Sequence, residues 1–444
     1  MKPAGQPAPT APGPKAGLTQ WLRWLEGLHS SAIDLGLERL RPVCQAMGLD
    51  RPPFRVLTVA GTNGKGSSVA VAAALLTAAG HRVGSYTSPH LIDFNERICI
   101  DGLPASDAEI LQAFQAVEAA RGAISLSYFE YTTLAALAIF RQRGVSHAVL
   151  EVGLGGRLDA VNVIDADVAL LTRVALDHAE WLGNDLAGIA REKAGVCRPS
   201  RPVVVADRDG PLAEAARETG ARPLLLGKRD FVWGQDGDSW FWESNEARLD
   251  GLGLEPWWHM PWQRANAAAA MQAVSLLAPE VLADAGRVRQ VLSTLQPPGR
   301  VQRLAGQPET LLDVAHNPDA ALALMDYLRA RPVNGQTRAI IGMRADKDIA
   351  GVVTTLAGEV DEWWPADLSA QGGLSAEGLD QRIHVACPAA HTRVKNADPV
   401  ETWLAARASA NPGDRLLVLG SFMTVGPVLR QVDAAGHTVG IGNR

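Results

Sequence analysis

The stretch from Phe54 to Leu76 does most to narrow the choice of fold. Phe54-Arg55-Val56-Leu57-Thr58-Val59 is short, apolar and rich in β-branched residues, and reads as a buried strand. Gly61-Thr62-Asn63-Gly64-Lys65-Gly66-Ser67 follows, and Ser68 to Leu76 reads as a helix. A glycine-rich turn between strand and helix lets backbone N–H groups converge on an anion. The helix N-terminus adds partial positive charge and Lys65 adds a full one. The expectation is a P-loop that holds phosphate. Two positions depart from the usual pattern. Val59 stands where a first glycine is normal, and Gly66 stands where a Ser or Thr normally ligates metal. Ser67, Ser68 or a distant residue must then supply that hydroxyl.

Further apolar runs alternate with helical segments. Strands are expected at Arg82–Thr87, Ile98–Gly102, His147–Gly153, Val168–Thr172 and Val203–Val205. Helices are expected at 107–121, from Ser127 to Arg143, and at Leu186–Ala194, where Gly195 terminates the last. This alternation predicts an α/β fold with a doubly wound, mainly parallel sheet. Ligands on such sheets bind at the carboxyl ends of strands, where Thr62–Ser67, Ser88, Glu151 and His178 fall. Leu18 to Gly48 reads as a helical hairpin covering the sheet, broken at His29–Arg39. From Arg222 to about Pro261, Trp, Gly and Asp predict hairpins, and Gln263-Arg264-Ala265-Asn266 leads an alanine-rich helix. Pro297-Pro298-Gly299-Arg300 reads as a linker. Beyond it, Thr310–Val314, Ala339–Gly342 and Arg415–Gly420 predict a smaller Rossmann-like α/β domain. The expected division is a disordered tail at 1–17, a P-loop domain at 18–296, a hinge at 297–300 and a second domain at 301–444.

Composition excludes several function classes. A net charge of -6 gives no global field for nucleic acid, so an anionic ligand needs a local cationic pocket. No run of eighteen apolar residues exists, and no apolar segment follows Lys2, so neither a membrane span nor a signal peptide is expected. Cys44, Cys99, Cys197 and Cys387 lie far apart, which fits a reducing cytoplasm better than a disulfide framework or a zinc site.

Glu151 ends an apolar strand downstream of the loop, the position from which a carboxylate holds Mg²⁺ in phosphate-loop proteins. Ser88 and His178 also follow strands, although each alone would be a commonplace loop residue. Lys193 lies four after Ile189 and seven after Leu186, on the face that Leu186, Ile189 and Ala190 mark as buried. An inward ammonium needs a partner or a modification, unless it snorkels to Glu192 or to solvent.

The motifs Gly61–Ser67, Thr87-Ser88-Pro89-His90-Leu91, Leu150–Ala160, Leu176-Asp177-His178, Arg191–Gly195, Pro298-Gly299-Arg300 and Asp313–Pro318 occur in one order along nearly the whole chain. In them the chain resembles the folylpolyglutamate synthase/dihydrofolate synthase family of the Mur-ligase superfamily. The resemblance implies ATP phosphates at Thr62, Asn63, Gly64 and Lys65, and Mg²⁺ on Ser88, Glu151 and His178. It implies that Lys193 is carbamylated by CO₂, so that its inward cation becomes an anion. Asn266, Arg300 and Asp313 match positions that hold the nucleotide. His316 and Ser421 match positions associated with the incoming glutamate. Pterin contacts fall on Ser127, Tyr128, Phe129 and Glu130, and on Leu158, Asp159 and Ala160.

The chemistry so implied is ATP-dependent amide formation through an acyl phosphate, with Lys65, Lys193 and His316 as the catalytic set. The expected substrates are dihydropteroate, reduced folates and L-glutamate, handled by a cytoplasmic monomer with no nucleic-acid or membrane partner. The segment His29–Arg39 resembles the pterin-side region of the bifunctional type, which favours both activities over a folylpolyglutamate synthase alone. A peptidoglycan-precursor ligase would need a uridine-nucleotide-binding domain ahead of the loop, for which the preceding residues are too few. A non-enzymatic nucleotide-binding regulator would be expected to have lost Glu151, His178 or Lys193, and all three are present.

Overall fold

Every apolar run read above as a strand lies in one of two mainly parallel sheets. The computed structural model describes residues 10–434 apart from 14, 30–33, 208–209, 228–229, 254–257 and 259. Most of the expected tail, the centre of the His29–Arg39 break, parts of the Arg222–Pro261 region and the last ten positions of the second domain therefore lie outside the described residues.

The larger sheet contains β1 (Arg55–Ala60), β2 (Val83–Tyr86), β3 (Ile98–Ile100), β4 (Leu103–Pro104), β5 (His147–Glu151), β6 (Val168–Leu171), β7 (Pro202–Val205) and β8 (Arg222–Leu225). Their order is β4-β3-β2-β5-β1-β6-β7-β8. All pairings from β2 to β8 are parallel, and β3 and β4 add an antiparallel edge. The central strands are buried along almost their whole length because helices cover both faces. β8 corrects the reading of Arg222 onward as hairpins: Arg222–Leu225 continues the parallel sheet at its far edge. The antiparallel unit begins only afterwards, with β9 (Phe231–Asp236), β10 (Ser239–Ser244) and β11 (Arg248–Leu252).

The smaller sheet contains β12 (Gln302–Leu304), β13 (Glu309–Leu312), β14 (Thr337–Ile341), β15 (Glu362–Pro365) and β16 (Arg415–Leu419), in the order β12-β13-β16-β14-β15. Four of these strands run parallel and β12 is the antiparallel edge. The α/β class and its two mainly parallel sheets thus follow the sequence reading.

At the N-terminus, helix Leu18–Leu28 turns Trp21, Leu25 and Leu28 inward at helical spacing, while Trp24 is half-buried. It packs chiefly on helices Asp107–Arg121 and Tyr128–Gln142, which themselves cover the sheet, so the hairpin is an outer layer. Among the described residues no helix is long and apolar enough to cross a membrane, and the four cysteines are unpaired thiols.

Candidate active site between the two sheets

The carboxyl ends of β1, β2, β5 and β6 open into one cavity. Gly61–Ser67, Ser88, Glu151, His178, Lys193 and Asn266 line it from one side, and Arg300, Asp313 and His316 line it from the other. Nearly all the residues expected to meet ATP and metal are therefore neighbours, although they come from positions 61 to 316.

The phosphate loop owes its path to missing side chains. Gly64 is left-handed at φ +90°, and a Cβ there would meet the Asn266 amide at 2.4 Å. At Gly61 a Cβ would meet the Thr172 hydroxyl at 1.8 Å. At Gly66 a Cβ would lie an ordinary 3.7 Å from a Glu151 carboxylate oxygen. Position 66 thus faces the acid expected to hold metal, and space for a larger side chain exists there. Lys65 begins helix Lys65–Ala78, and its Nζ donates to the Gly61 carbonyl at 3.1 Å and the Thr62 carbonyl at 3.0 Å.

Glu151 is buried, and the Ser88 N–H at 3.4 Å is its only hydrogen-bond partner among the described residues. Burial pushes its carboxyl up, and the nearby charges of Lys65 and Arg300 oppose that push. Partial desolvation at the cavity rim, helped by the Lys347 and Lys65 charges and opposed by Asp177, lowers the His178 imidazole to about 4, so it is neutral although its side chain is 37% exposed. A buried carboxylate short of partners, a serine and a neutral imidazole on one cavity wall fit a hard divalent cation. Among the described residues no three His, Cys, Asp or Glu side chains converge as a metal cluster. Glu151→Gln keeps volume and removes the anion, so its activity curve should shift to higher Mg²⁺ with an unchanged melting temperature. An unchanged Mg²⁺ titration would reduce Glu151 to a strand-end residue.

Helix Leu186–Ala194 delivers Lys193, which is 3% exposed. The face that buries it is Ile189, Ala190, Lys193 and Ala194. Leu186, expected on that face, is 42% exposed, because the first turn projects beyond the packed layer. Gly195 ends the helix in ordinary right-handed geometry at φ -61°. Glycine is needed there for close approach, since a Cβ would meet the Arg157 Cβ at 2.3 Å. Lys193 Nζ donates to the Gly61 carbonyl at 3.0 Å, the same oxygen that Lys65 uses. Burial and the charge of Lys65 lower the Lys193 amine to about 7.

From the second sheet, Asp313 follows β13 and accepts the N–H groups of Val301 and Ala315, each at 2.8 Å. Arg300 stacks on Phe422 at 5.3 Å from the ring centroid. His316 Nδ1 faces the Val314 carbonyl at 2.8 Å, and a carbonyl only accepts, so Nδ1 carries the proton. Ser421 does not line the cavity; its hydroxyl accepts the Met423 N–H at 3.1 Å.

The residues matched to pterin also lie off the cavity lining. Ser127 caps helix Tyr128–Gln142, its hydroxyl receives the Glu130 N–H, and the Glu130 carboxylate returns to the Ser127 N–H at 2.7 Å. Arg39 also donates to Glu130, at 3.0 Å. Asp159 accepts from the Leu154 and Val161 N–H groups, and burial pushes its carboxyl up to about 6. Ala160 is buried, while Leu158 and Tyr128 are half-buried. Phe129 links this group to the cavity: its ring occupies the space that a side chain at Gly153 would need, and Gly153 lines the cavity.

Asp177, Asn317, Asp319 and Lys347, which the sequence analysis gave no role of their own, join the two sides. Asp177 receives Lys347 Nζ at 2.7 Å and faces His316 Nε2 at 3.5 Å. Burial alone would raise the Asp177 carboxyl, but His316, His178 and Lys347 hold it well below the usual carboxylate range. Asn63 and Asn317 exchange amide hydrogen bonds at 3.1 and 3.0 Å. Asp319 reaches both Asn63 and Arg173. The signals differed: Asp177 stands in the Leu176-Asp177-His178 motif without a role of its own, and Lys347 stands in the charged run Arg344–Asp348 after β14.

Comparisons with known proteins bear on the chain as a whole. Residues 59–249 match the Mur ligase middle domain, and residues 299–422 match the Mur ligase glutamate ligase domain. The dihydrofolate synthase/folylpolyglutamate synthase of Escherichia coli (strain K12) is 42% identical over 94% of this chain and 96% of its own. The Haemophilus influenzae protein of the same name is 35% identical over 92% and 96%. The structure of E. coli FolC in complex with DHPP and ADP superposes with a TM-score of 0.89, at 40% identity over 96% of this chain and all 100% of that one. A crystal structure of a bifunctional folylpolyglutamate synthase/dihydrofolate synthase with Mn, AMPPNP and L-glutamate bound gives 0.85, at 41% identity over 96% and 100%.

Proposed function

The chain belongs to the Mur ligase family, among its dihydrofolate synthase/folylpolyglutamate synthases, and from that premise we propose how its residues divide the work. It is an ATP-dependent ligase that joins L-glutamate to dihydropteroate and to reduced folates. The observation that carries the assignment of roles is the shared cavity, in which a phosphate loop, a buried carboxylate and a buried lysine face Arg300, Asp313 and His316.

A carboxylate is a poor electrophile because its leaving group would be oxide. Phosphorylation by ATP gives an acyl phosphate, whose leaving group is phosphate, and the α-amine of glutamate then displaces it. We assign the ATP phosphates to Thr62–Lys65, where Lys65 and the loop N–H groups balance charge that grows during transfer. Ser88, Glu151 and His178 would hold Mg²⁺, which when bound neutralises phosphate charge. Asn266, Arg300 and Asp313 are assigned to the nucleotide, with Asp313 tied by backbone bonds to the 297–300 linker side. His316 and Ser421 are assigned to glutamate. The pteroate is assigned to the wall formed by Ser127–Glu130 and Leu158–Ala160 beside Gly153. An acyl phosphate is open to hydrolysis, so the 18–296 and 301–444 units would close over it and exclude water. We take the working unit to be one chain in the cytoplasm, in keeping with its unpaired thiols and a cavity lined from both sides by one polypeptide.

The test is product analysis by mass spectrometry with ATP, Mg²⁺, L-glutamate and one pteroate substrate at a time. Addition of a glutamyl unit to both dihydropteroate and a reduced folate is expected. A product from the reduced folate alone would leave a folylpolyglutamate synthase, and no product from either would overturn the assignment.

A further inference from the structure

Asp319 sits in the first turn of helix Pro318–Ala330, on the second-sheet side of the cavity. Its two carboxylate oxygens point back across the cavity to different targets. One meets Arg173 Nη2 at 2.8 Å, and the other receives the Asn63 amide at 2.8 Å. Asn63 is the tip of the phosphate loop, and Arg173 lies just after β6. Those two partners are themselves fixed together. The Thr62 N–H donates to the Arg173 carbonyl at 2.6 Å, and the Thr172 hydroxyl donates to the Asn63 carbonyl at 2.7 Å. Asn317, the cap of the same helix, adds the reciprocal amide pair with Asn63.

We propose that Asp319 is a positioning residue that couples the phosphate loop to the glutamate side of the site. The helix it anchors follows directly from His316, so a fixed Asp319 fixes the distance between the loop and His316. Asp319 needs no contact with substrate for this. The Arg173–Asp319 side chains are 42% and 20% exposed, and pairs this open contribute little to overall stability. Its loss should therefore leave the fold intact and register in how well the two halves of the site meet. The inference rests on the ligase reading.

The experiment compares the full-length protein with Asp319→Asn, Asp319→Ala and the charge-reversed pair Arg173→Asp/Asp319→Arg. Acyl phosphate formation is read as hydroxamate trapped by hydroxylamine in the presence of ATP and dihydropteroate, and ligation is read with L-glutamate. The expected result for Asp319→Ala is a rise in KM for glutamate on the order of tenfold, with KM for ATP and hydroxamate formation little changed. Asp319→Asn should lie between it and wild type, and the reversed pair should recover part of the loss. Amide hydrogen exchange supplies a readout that does not depend on activity: residues 61–66 and 317–322 should both exchange faster in Asp319→Ala. Unchanged exchange at both segments would overturn the coupling. So would equal loss of hydroxamate and of ligation, or an unchanged KM for glutamate. A wild-type protein that forms no hydroxamate would instead sink the ligase reading, and the exchange result would still decide the coupling.

Discussion

Lys65→Ala should reduce ATP-dependent ligation by roughly a hundredfold to a thousandfold or more, with the fold preserved. The range is that seen when a preorganised charge-stabilising group is removed from a reacting centre. The structure gives two reasons to expect so clean a separation of activity from folding. First, among the described residues Lys65 bonds only to the carbonyls of Gly61 and Thr62, both in its own loop. Its helix is held elsewhere, by buried Val69, Val71, Ala72, Leu75 and Leu76. Second, burial lowers the Lys65 amine, although Glu151 and Asp177 pull the other way, so holding this cation costs the fold stability and does not supply it. Alanine removes that cost, and the melting temperature should stay level or rise slightly. Nucleotide affinity should fall together with turnover, as measured by titration calorimetry and by ADP release. Near wild-type ligation by a well-folded Lys65→Ala protein would remove the phosphate loop from the mechanism.

The loop itself was legible because its signals are local. A β-branched run, closely spaced glycines and a lysine at a helix start lie within one short stretch, and each implies the next. The central strands were legible for the same reason, whereas Leu103–Pro104, Gln302–Leu304 and Glu362–Pro365 at sheet edges were not read as strands. β8 was not, because Arg222 and Pro223 give it a polar and hydrogen-bond-poor start that suits a sheet edge and resembles a turn. Leu186 misled because helical spacing identifies a face but cannot say where along its length the packed neighbours stop. The contacts joining the two halves, Asp177 to Lys347 and Asp319 to Asn63 and Arg173, span 146 to 256 positions. No periodicity within either half encodes them.

The segment Ser127–Glu130 shows how one motif can carry two readings. Family resemblance marks it for pterin, whereas a Ser followed three places later by Glu is also the signature of a helix cap. The structure places both side chains in that cap, with Arg39 added to Glu130. A binding role for Ser127 would have to coexist with its bond to the Glu130 N–H. Phe129 makes no side-chain hydrogen bond; its ring stacks on Tyr86 at 5.7 Å and lies against Gly153 at the cavity wall.

Lys193→Ala should be nearly inactive, and short carboxylic acids such as formate or acetate should restore part of the rate. The argument starts from the Gly61 carbonyl, which receives Lys193 at 3.0 Å and Lys65 at 3.1 Å. Two ammonium groups on one carbonyl oxygen repel each other, and only one of the two lysines belongs to the phosphate loop. Burial is the larger cause and the repulsion adds to it, and together they bring Lys193 from the usual 10.5 to about 7. At about 1.4 kcal/mol per pH unit, keeping it charged there costs roughly 5 kcal/mol relative to water. A large fraction of Lys193 is thus a neutral amine near pH 7, the form that reacts with CO₂. The product is a carbamate, which replaces a cation disfavoured beside Lys65 by an anion attracted to it. The sign of the pH effect follows: below about 7 the amine is protonated and cannot be carbamylated, so activity at fixed total CO₂ should fall on the acid side. Removing Lys65 lifts one of the two causes, so Lys65→Ala should raise the Lys193 amine and weaken CO₂ uptake. ¹³C NMR of the protein under labelled CO₂ should give a carbamate resonance in wild type that is absent in Lys193→Ala. Full activity in rigorously CO₂-free buffer, with an unmodified Lys193 in a nucleotide- and Mg²⁺-bound structure and no rescue of the alanine variant by acids, would sink the modification.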